Sequence, residues 1–250
     1  MGKIHFNNAP IVEALIDIRA ILPPETTLDT LALFQEKIKT DFPEKQTRVS
    51  WESSFKVEPN TPPQVSQHKR EDGYLFHASD KSQLVQARLD GFTFNKLRPY
   101  DKWESFKDKA KELYAHYLEI AKPKNVVRLG LRYINRIEVP LISPIRFEEY
   151  FLLRPELPST LPQRTKHFLT QVVLADDSIG AEAIVTERLE KPLHKDGNDF
   201  LPVLLDIDVV KTLSLSPSDI ELWNLFEKLK LFEDSIFLES LTARAKELFK

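Results

Sequence analysis

From residue 11 to residue 21 apolar and polar side chains alternate. Val12, Ala14, Ile16 and Ile18 make one row and Glu13, Asp17 and Arg19 the other, which predicts a half-buried β-strand. Pro23-Pro24 ends it. Thr26 is placed to cap a helix that carries Leu28, Leu31, Phe34 and Ile38 at helical spacing, with Asp29 positioned for a capping box. Residues 48–58 alternate again, with Val49, Trp51, Phe55 and Val57 on one face, and Pro59, Pro62 and Pro63 mark a surface loop. Residues 73–79 and 84–97 predict a hairpin, with Gly91 at a bulge where the apolar parity changes. Asp101 and Glu104 form a second capping box ahead of a helix bearing Trp103, Phe106, Ala110, Leu113, Tyr117 and Ala121.

The pattern then begins again. Residues 126–139 predict a strand, 147–153 a short helix, and Pro155, Pro158 and Pro162 a loop. A hairpin over 167–174 and 181–189 turns at Asp176-Asp177, and 201–210 is a further strand. Ser216-Pro217-Ser218-Asp219 signals a helix start, followed by Leu222, Leu225, Leu229, Phe232 and Ile236. The expected fold is α+β: two pseudo-duplicated β-α-β-β-β-α halves, 1–123 and 124–250, forming one curved, mainly antiparallel sheet with helices on one face. No flexible linker is expected at 122–125.

The strand that opens the second half, Arg128-Leu-Gly-Leu-Arg132-Tyr-Ile-Asn135-Arg136, puts three arginines on one face and Leu129, Leu131, Tyr133 and Asn135 on the other. With the helices on the apolar side, the second face of the sheet collects Glu13, Asp17, Arg19, Gln86, Arg88, Asp90, Arg128, Arg132, Arg136, Glu182, Arg188, Asp206 and Asp208. Such a face is either a wet surface with cross-strand pairs or a groove for an anionic ligand. Arginine suits the groove, because its fork grips phosphate or carboxylate at two points. The candidate ligand-binding residues are Glu13, Asp17, Arg19, Arg88, Arg128, Arg132 and Arg136. If the two opening strands pair, the arginines face Glu13 and Asp17, and their first claim is structural ion pairing.

Asp206-Ile-Asp208 places two acids on one strand face, where with bound phosphate they could share Mg²⁺. Asp-x-Asp is common by chance, and the histidines show no metal-ligand spacing, so no metal or other cofactor is assigned. Walker, Gly-x-Gly-x-x-Gly and Gly-x-Ser-x-Gly motifs are absent, and no catalytic residue is identified. The aromatic run from Phe92 to Trp103 reads as core and helix staple in preference to a base-stacking platform.

Composition narrows the classes further. Over 250 residues the net charge is −3, which supplies no basic field for nucleic acid. The absence of cysteine excludes disulfides and thiolate chemistry. No signal-like or membrane-spanning run is evident, so the chain is expected to be soluble and cytoplasmic. Oligomeric state is open.

Three segments carry a resemblance: Pro10-Ile-Val-Glu-Ala14, Phe94-x-x-Leu97-x-Pro-Tyr100-x-x-Trp103, and Arg128-x-Gly-x-Arg-Tyr-Ile-Asn135, joined by Phe237-Leu-Glu-Ser-Leu-Thr242. They resemble a bacterial family titled only "sporadically distributed protein", which has no assigned activity. The resemblance implies an accessory gene product, with a defence or toxin–antitoxin setting as the association. The leading expectation is a non-catalytic binding module for a protein partner or a small anionic ligand. The alternative is a metal-dependent nucleotide or triphosphate enzyme with the general plan of the triphosphate-tunnel enzymes, although their Glu-x-Glu-x-Lys strand is replaced here by Glu13, Leu15, Asp17 and Arg19.

Overall fold

A computed structural model describes residues 6–56, 64–141, 146–162 and 165–250, with backbone alone at 52–56 and 64–68. The predicted loop prolines 59, 62 and 63, and the end of the strand at 57–58, lie outside the described residues. The chain forms β1 (Ile11–Ile21), α1 (Leu28–Ala32), α2 (Phe34–Ile38), β2 (Glu44–Lys56), β3 (Gln64–His77), β4 (Gln83–Arg88), β5 (Gly91–Leu97) and α3 (Trp103–Ala121). It continues with β6 (Asn125–Pro140), a 3₁₀ turn at Phe147–Glu149, β7 (Leu169–Asp176), β8 (Ala181–Leu189), β9 (Leu193–Lys195), β10 (Asn198–Leu215), α4 (Glu221–Ser240) and α5 (Ala243–Glu247). The strands build one antiparallel sheet in the order β2-β3-β4-β5-β1-β6-β10-β8-β7, with β9 paired to β10. The α+β, antiparallel expectation is met.

Alternation sets the faces. Ala14, Ile16 and Ile18 on β1, Leu129, Leu131 and Tyr133 on β6, and Val203, Leu205, Ile207 and Val209 on β10 are all buried on one side. The apolar stripes of α3 and α4 close over that side. Phe94 stacks on Phe106 with ring centres 5.4 Å apart, and Phe92 packs on Tyr114 and Tyr117. Each such ring contributes about 2–3 kcal/mol through burial. The aromatic run is therefore core, as read from the sequence. Trp103 donates its indole N–H to Glu227 at 2.9 Å, tying α3 to α4. Beneath α4, Lys230 lies over the Tyr133 ring at 4.6 Å and bonds Glu233, while the Tyr100 and Tyr133 hydroxyls share a 2.8 Å hydrogen bond.

Several boundaries differ from the expectation. The helix over 28–38 is two short ones broken at Leu33, and Thr27, not Thr26, is its cap, with Thr30 as the reciprocal partner. Helix α3 starts from Lys102 without a side-chain cap. Before α4, Asp219 accepts the Glu221 N–H at 2.9 Å, so the capping oxygen belongs to the last residue of the Ser-Pro-Ser-Asp run. Gly91 is no bulge: residues 84–97 fold back at Leu89-Asp90, and Gly91 (φ +147°) stands where a Cβ would meet Ile18 O at 2.2 Å. A second turn at Asp196-Gly197 creates β9 and lengthens β10. The described residues thus form five strands on each side of α3, not the four of a β-α-β-β-β-α half.

At the 122–125 junction Lys122 ends α3 in the left-handed region, and the Lys124 N–H donates to Ile21 O at 2.8 Å. Polar residues also take inward positions: Asn135 on β6 is 1% exposed and donates to Leu205 O at 3.3 Å. Glu187 points into the core between Val185 and Leu189, is 1% exposed, and among the described residues neither carboxyl oxygen has a hydrogen-bond partner.

Candidate functional site

The sheet face opposite the helices carries all seven sequence-predicted site residues. Register decides how they meet. Asp17 on β1 stands opposite Gly130 on β6 and Thr93 on β5, and Arg88 on β4 stands opposite Gly91. With no side chain at Gly130, the Arg128 guanidinium can lie back over it; its Nη1 would be 3.4 Å from a Cβ there. Arg128 thereby donates to Asp17 Oδ2 at 3.0 Å. From the other side Arg88 donates Nη2 to Asp17 Oδ1 at 2.7 Å, Nη1 to Thr93 Oγ1 at 2.5 Å and Nε to Asp90 at 2.9 Å. Thr93 donates to Asp17 at 2.8 Å, and Arg19 bonds both Asp17, at 3.2 Å, and Asp90.

Asp17 and Arg88 are 6% and 3% exposed, so this network is the floor of the face, not its surface. Burial alone would raise the Asp17 carboxyl, but Arg88 and Arg19, with the Thr93 hydroxyl, outweigh it and hold the group below its ordinary value. Burial likewise opposes the Arg88 cation, and Asp17 and Asp90 more than restore it.

The remaining candidates are engaged separately. Arg132 grips Asp206 with Nε at 2.7 Å and Nη2 at 2.5 Å, so Asp206 is held by a guanidinium. Asp208, opposite Arg132, makes no hydrogen bond or ion pair within the described residues; burial raises its carboxyl despite Arg128 and Arg132 nearby. Glu13 accepts from Asn95 at 2.6 Å. Among the described residues no three His, Asp or Glu side chains converge as metal ligands. Arg136 donates to Glu138 at 2.6 Å and to Glu190 at 2.8 Å. The face is therefore a lattice of ion pairs, and each predicted arginine has a carboxylate.

Where the arginine strand runs out, the balance changes. Arg136, Arg188 and Leu189 line a hollow of about 540 Å³ together with Lys166, His167, Glu190, Lys191 and Pro192. Glu190 sits between the two arginines, 2.8 Å from Arg136 and 3.6 Å from Arg188. By pinning them it fixes their orientation, with Glu138 holding Arg136 from the other side. Four basic side chains line the hollow with this one carboxylate, Arg136 having Glu138 as a second partner, and the Arg188 side chain is 47% exposed. Leu189 and Pro192 supply an apolar wall. Sequence reasoning placed Arg136 and Arg188 on this face and missed Lys166, His167 and Lys191, which lie in the connections outside the strands. The signal within reach was the pair of basic flanks, Lys166-His167 before β7 and Lys191 after β8.

No helix among the described residues is long and apolar enough to cross a membrane. Comparison of the chain with known protein families, curated proteins and solved structures finds no match.

Proposed function

We propose that the protein is a non-catalytic binding module that takes a small organic anion, a phosphate ester or dicarboxylate, in the hollow at the end of β6. One observation carries this reading: the hollow gathers Arg136, Arg188, Lys166 and Lys191, four basic side chains, around Glu190 in its lining and Glu138 behind Arg136, so basic groups outnumber carboxylates there. Two guanidiniums held by one carboxylate suit a planar or tetrahedral oxyanion, and the lysines add charge without fixing geometry. The floor network serves as scaffold, keeping the arginine strand rigid beneath the site. The reading of the chain as two related halves belongs to the same proposal. It is supported by the strand order, which runs outward from the centre as β1-β5-β4-β3-β2 on one side and β6-β10-β8-β7 on the other.

A melting-temperature screen against phosphate, pyrophosphate, nucleotides and dicarboxylates tests the proposal. A ligand at about a hundred times its Kd stabilises by about 2.7 kcal/mol, well within reach of such a screen. The stabilisation is expected to fall with added salt and to vanish in Arg188→Gln combined with Lys191→Gln. No stabilisation by any anion would overturn it. The same screen with Mg²⁺ or Mn²⁺ tests the nucleotide or triphosphate enzyme: stabilisation only when metal is present supports that reading instead.

A further inference from the structure

We infer that β7 is a self-association edge, where a second copy of this chain adds its own β7 antiparallel across a two-fold axis. The strand closes one end of the sheet and pairs only with β8 among the described residues. The Leu189 N–H donates to Phe168 O at 3.3 Å, which sets the phase of that ladder: even-numbered residues of β7 bond β8. Leu169, Gln171, Val173 and Ala175 therefore direct their N–H and C=O groups to the open edge. Leu169 and Val173 are 62% and 60% exposed.

The two ends of the sheet contrast. The β2 edge carries Glu44, Lys45 and Arg48 and a register shift at Arg48/Val49, the charges and irregularity by which edges avoid pairing. Leu169–Asp176 has no lysine, arginine, proline, glycine or register shift, and its only charge is at the last position.

Charge complementarity names the occupant. The strand is preceded by Lys166-His167 and ends in Asp176-Asp177. An antiparallel copy brings each basic start to the other's acidic end, twice per dimer. With Gln171 on the axis, Leu169 of each copy lies against Val173 of the other, apolar on apolar. A parallel copy would set like charges together. The two-fold axis stands perpendicular to the sheet, so helices stay with helices and the ion-pair face continues across the join.

Sedimentation equilibrium from about 1 to 100 µM at low salt provides the test. The wild type is expected to reach twice the 29.0 kDa of one chain. Val173→Lys, an exposed change that sets a lysine against Leu169 of the other copy at both ends of the join, should remain at 29.0 kDa with an unaltered circular-dichroism spectrum. Asp177→Lys should weaken association at least tenfold, and added salt should weaken it too. A wild type that stays monomeric throughout overturns the inference, as does a Val173→Lys variant that dimerises like the wild type. Val173 is not in the anion hollow, so anion binding by monomeric Val173→Lys separates the two proposals.

Discussion

Replacing Glu187 by glutamine is expected to stabilise the protein, by an amount set by pH. The carboxyl is buried on the core face of β8 with Leu205 and Thr170 as cross-strand neighbours, and Arg154 is the charged group that acts on it. Burial lifts it from 4.5 to about 8, against a smaller downward pull from Arg154. The folded chain therefore keeps this proton up to about pH 8, whereas the unfolded chain releases it above 4.5. Between those values the unfolded state binds fewer protons than the fold, so stability falls as pH rises. At about 1.4 kcal/mol per pH unit, the loss by pH 7 is about 3 kcal/mol, a large part of the roughly 5–15 kcal/mol that holds a typical protein folded. Glutamine keeps the shape and cannot ionise. Urea unfolding should place Glu187→Gln within about 1 kcal/mol of wild type at pH 5 and about 4 kcal/mol above it at pH 8. Parallel pH dependences for the two proteins, or a variant less stable than wild type at pH 8, would refute the reasoning.

Two further outcomes follow from the core and the floor network. Asp17→Asn removes the carboxylate that three arginines share and should cost about 3–5 kcal/mol in urea unfolding, because Arg88 is left buried with Asp90 as its remaining carboxylate, whereas Arg19→Ala, at a side chain 35% exposed, should cost under about 1 kcal/mol. The Asp17 contribution is held above pH 3.8 and lost as acid takes the group through its lowered value, so Asp17→Asn should also flatten the acid limb. Of six tyrosines, burial pushes Tyr100, Tyr114, Tyr117 and Tyr133 above the ordinary phenol range. Alkaline titration followed at 295 nm should show these four ionising only as the chain unfolds, and their smooth titration near pH 10 in the native state would contradict the packing.

Alternation was enough to identify β1, β6 and their faces, because a period of two needs no knowledge of neighbours. It also tied the arginines to Glu13 and Asp17 on the condition that the opening strands pair; they do pair, and Arg128 meets Asp17 while Glu13 takes Asn95. Strand order lay beyond it. Arg88 reaches Asp17 only because β5 lies between β4 and β1 and offers Thr93, and Arg132 takes Asp206 and not Glu13 because β10 flanks β6. The turns at Leu89-Asp90 and Asp196-Gly197 were visible as Asp-Gly pairs, yet alternation carried the strand reading through the first and stopped short of the second. Glu187 was legible in principle, since Ala183, Val185 and Leu189 share its parity. A carboxyl at an inward position looks like an error of phase until burial is seen. The hollow escaped notice for a different reason: Lys166, His167 and Lys191 come from connections, which have no period, and only the fold brings them to Arg136 and Arg188.

Isothermal titration of the wild type with inorganic pyrophosphate, at low and at high salt, tests the anion-binding hollow most directly. The expected result is one site per chain, weakened by salt and lost in Arg188→Gln with Lys191→Gln while that variant still melts cooperatively. Absence of binding at low salt, or equal binding by the double variant, would contradict the account.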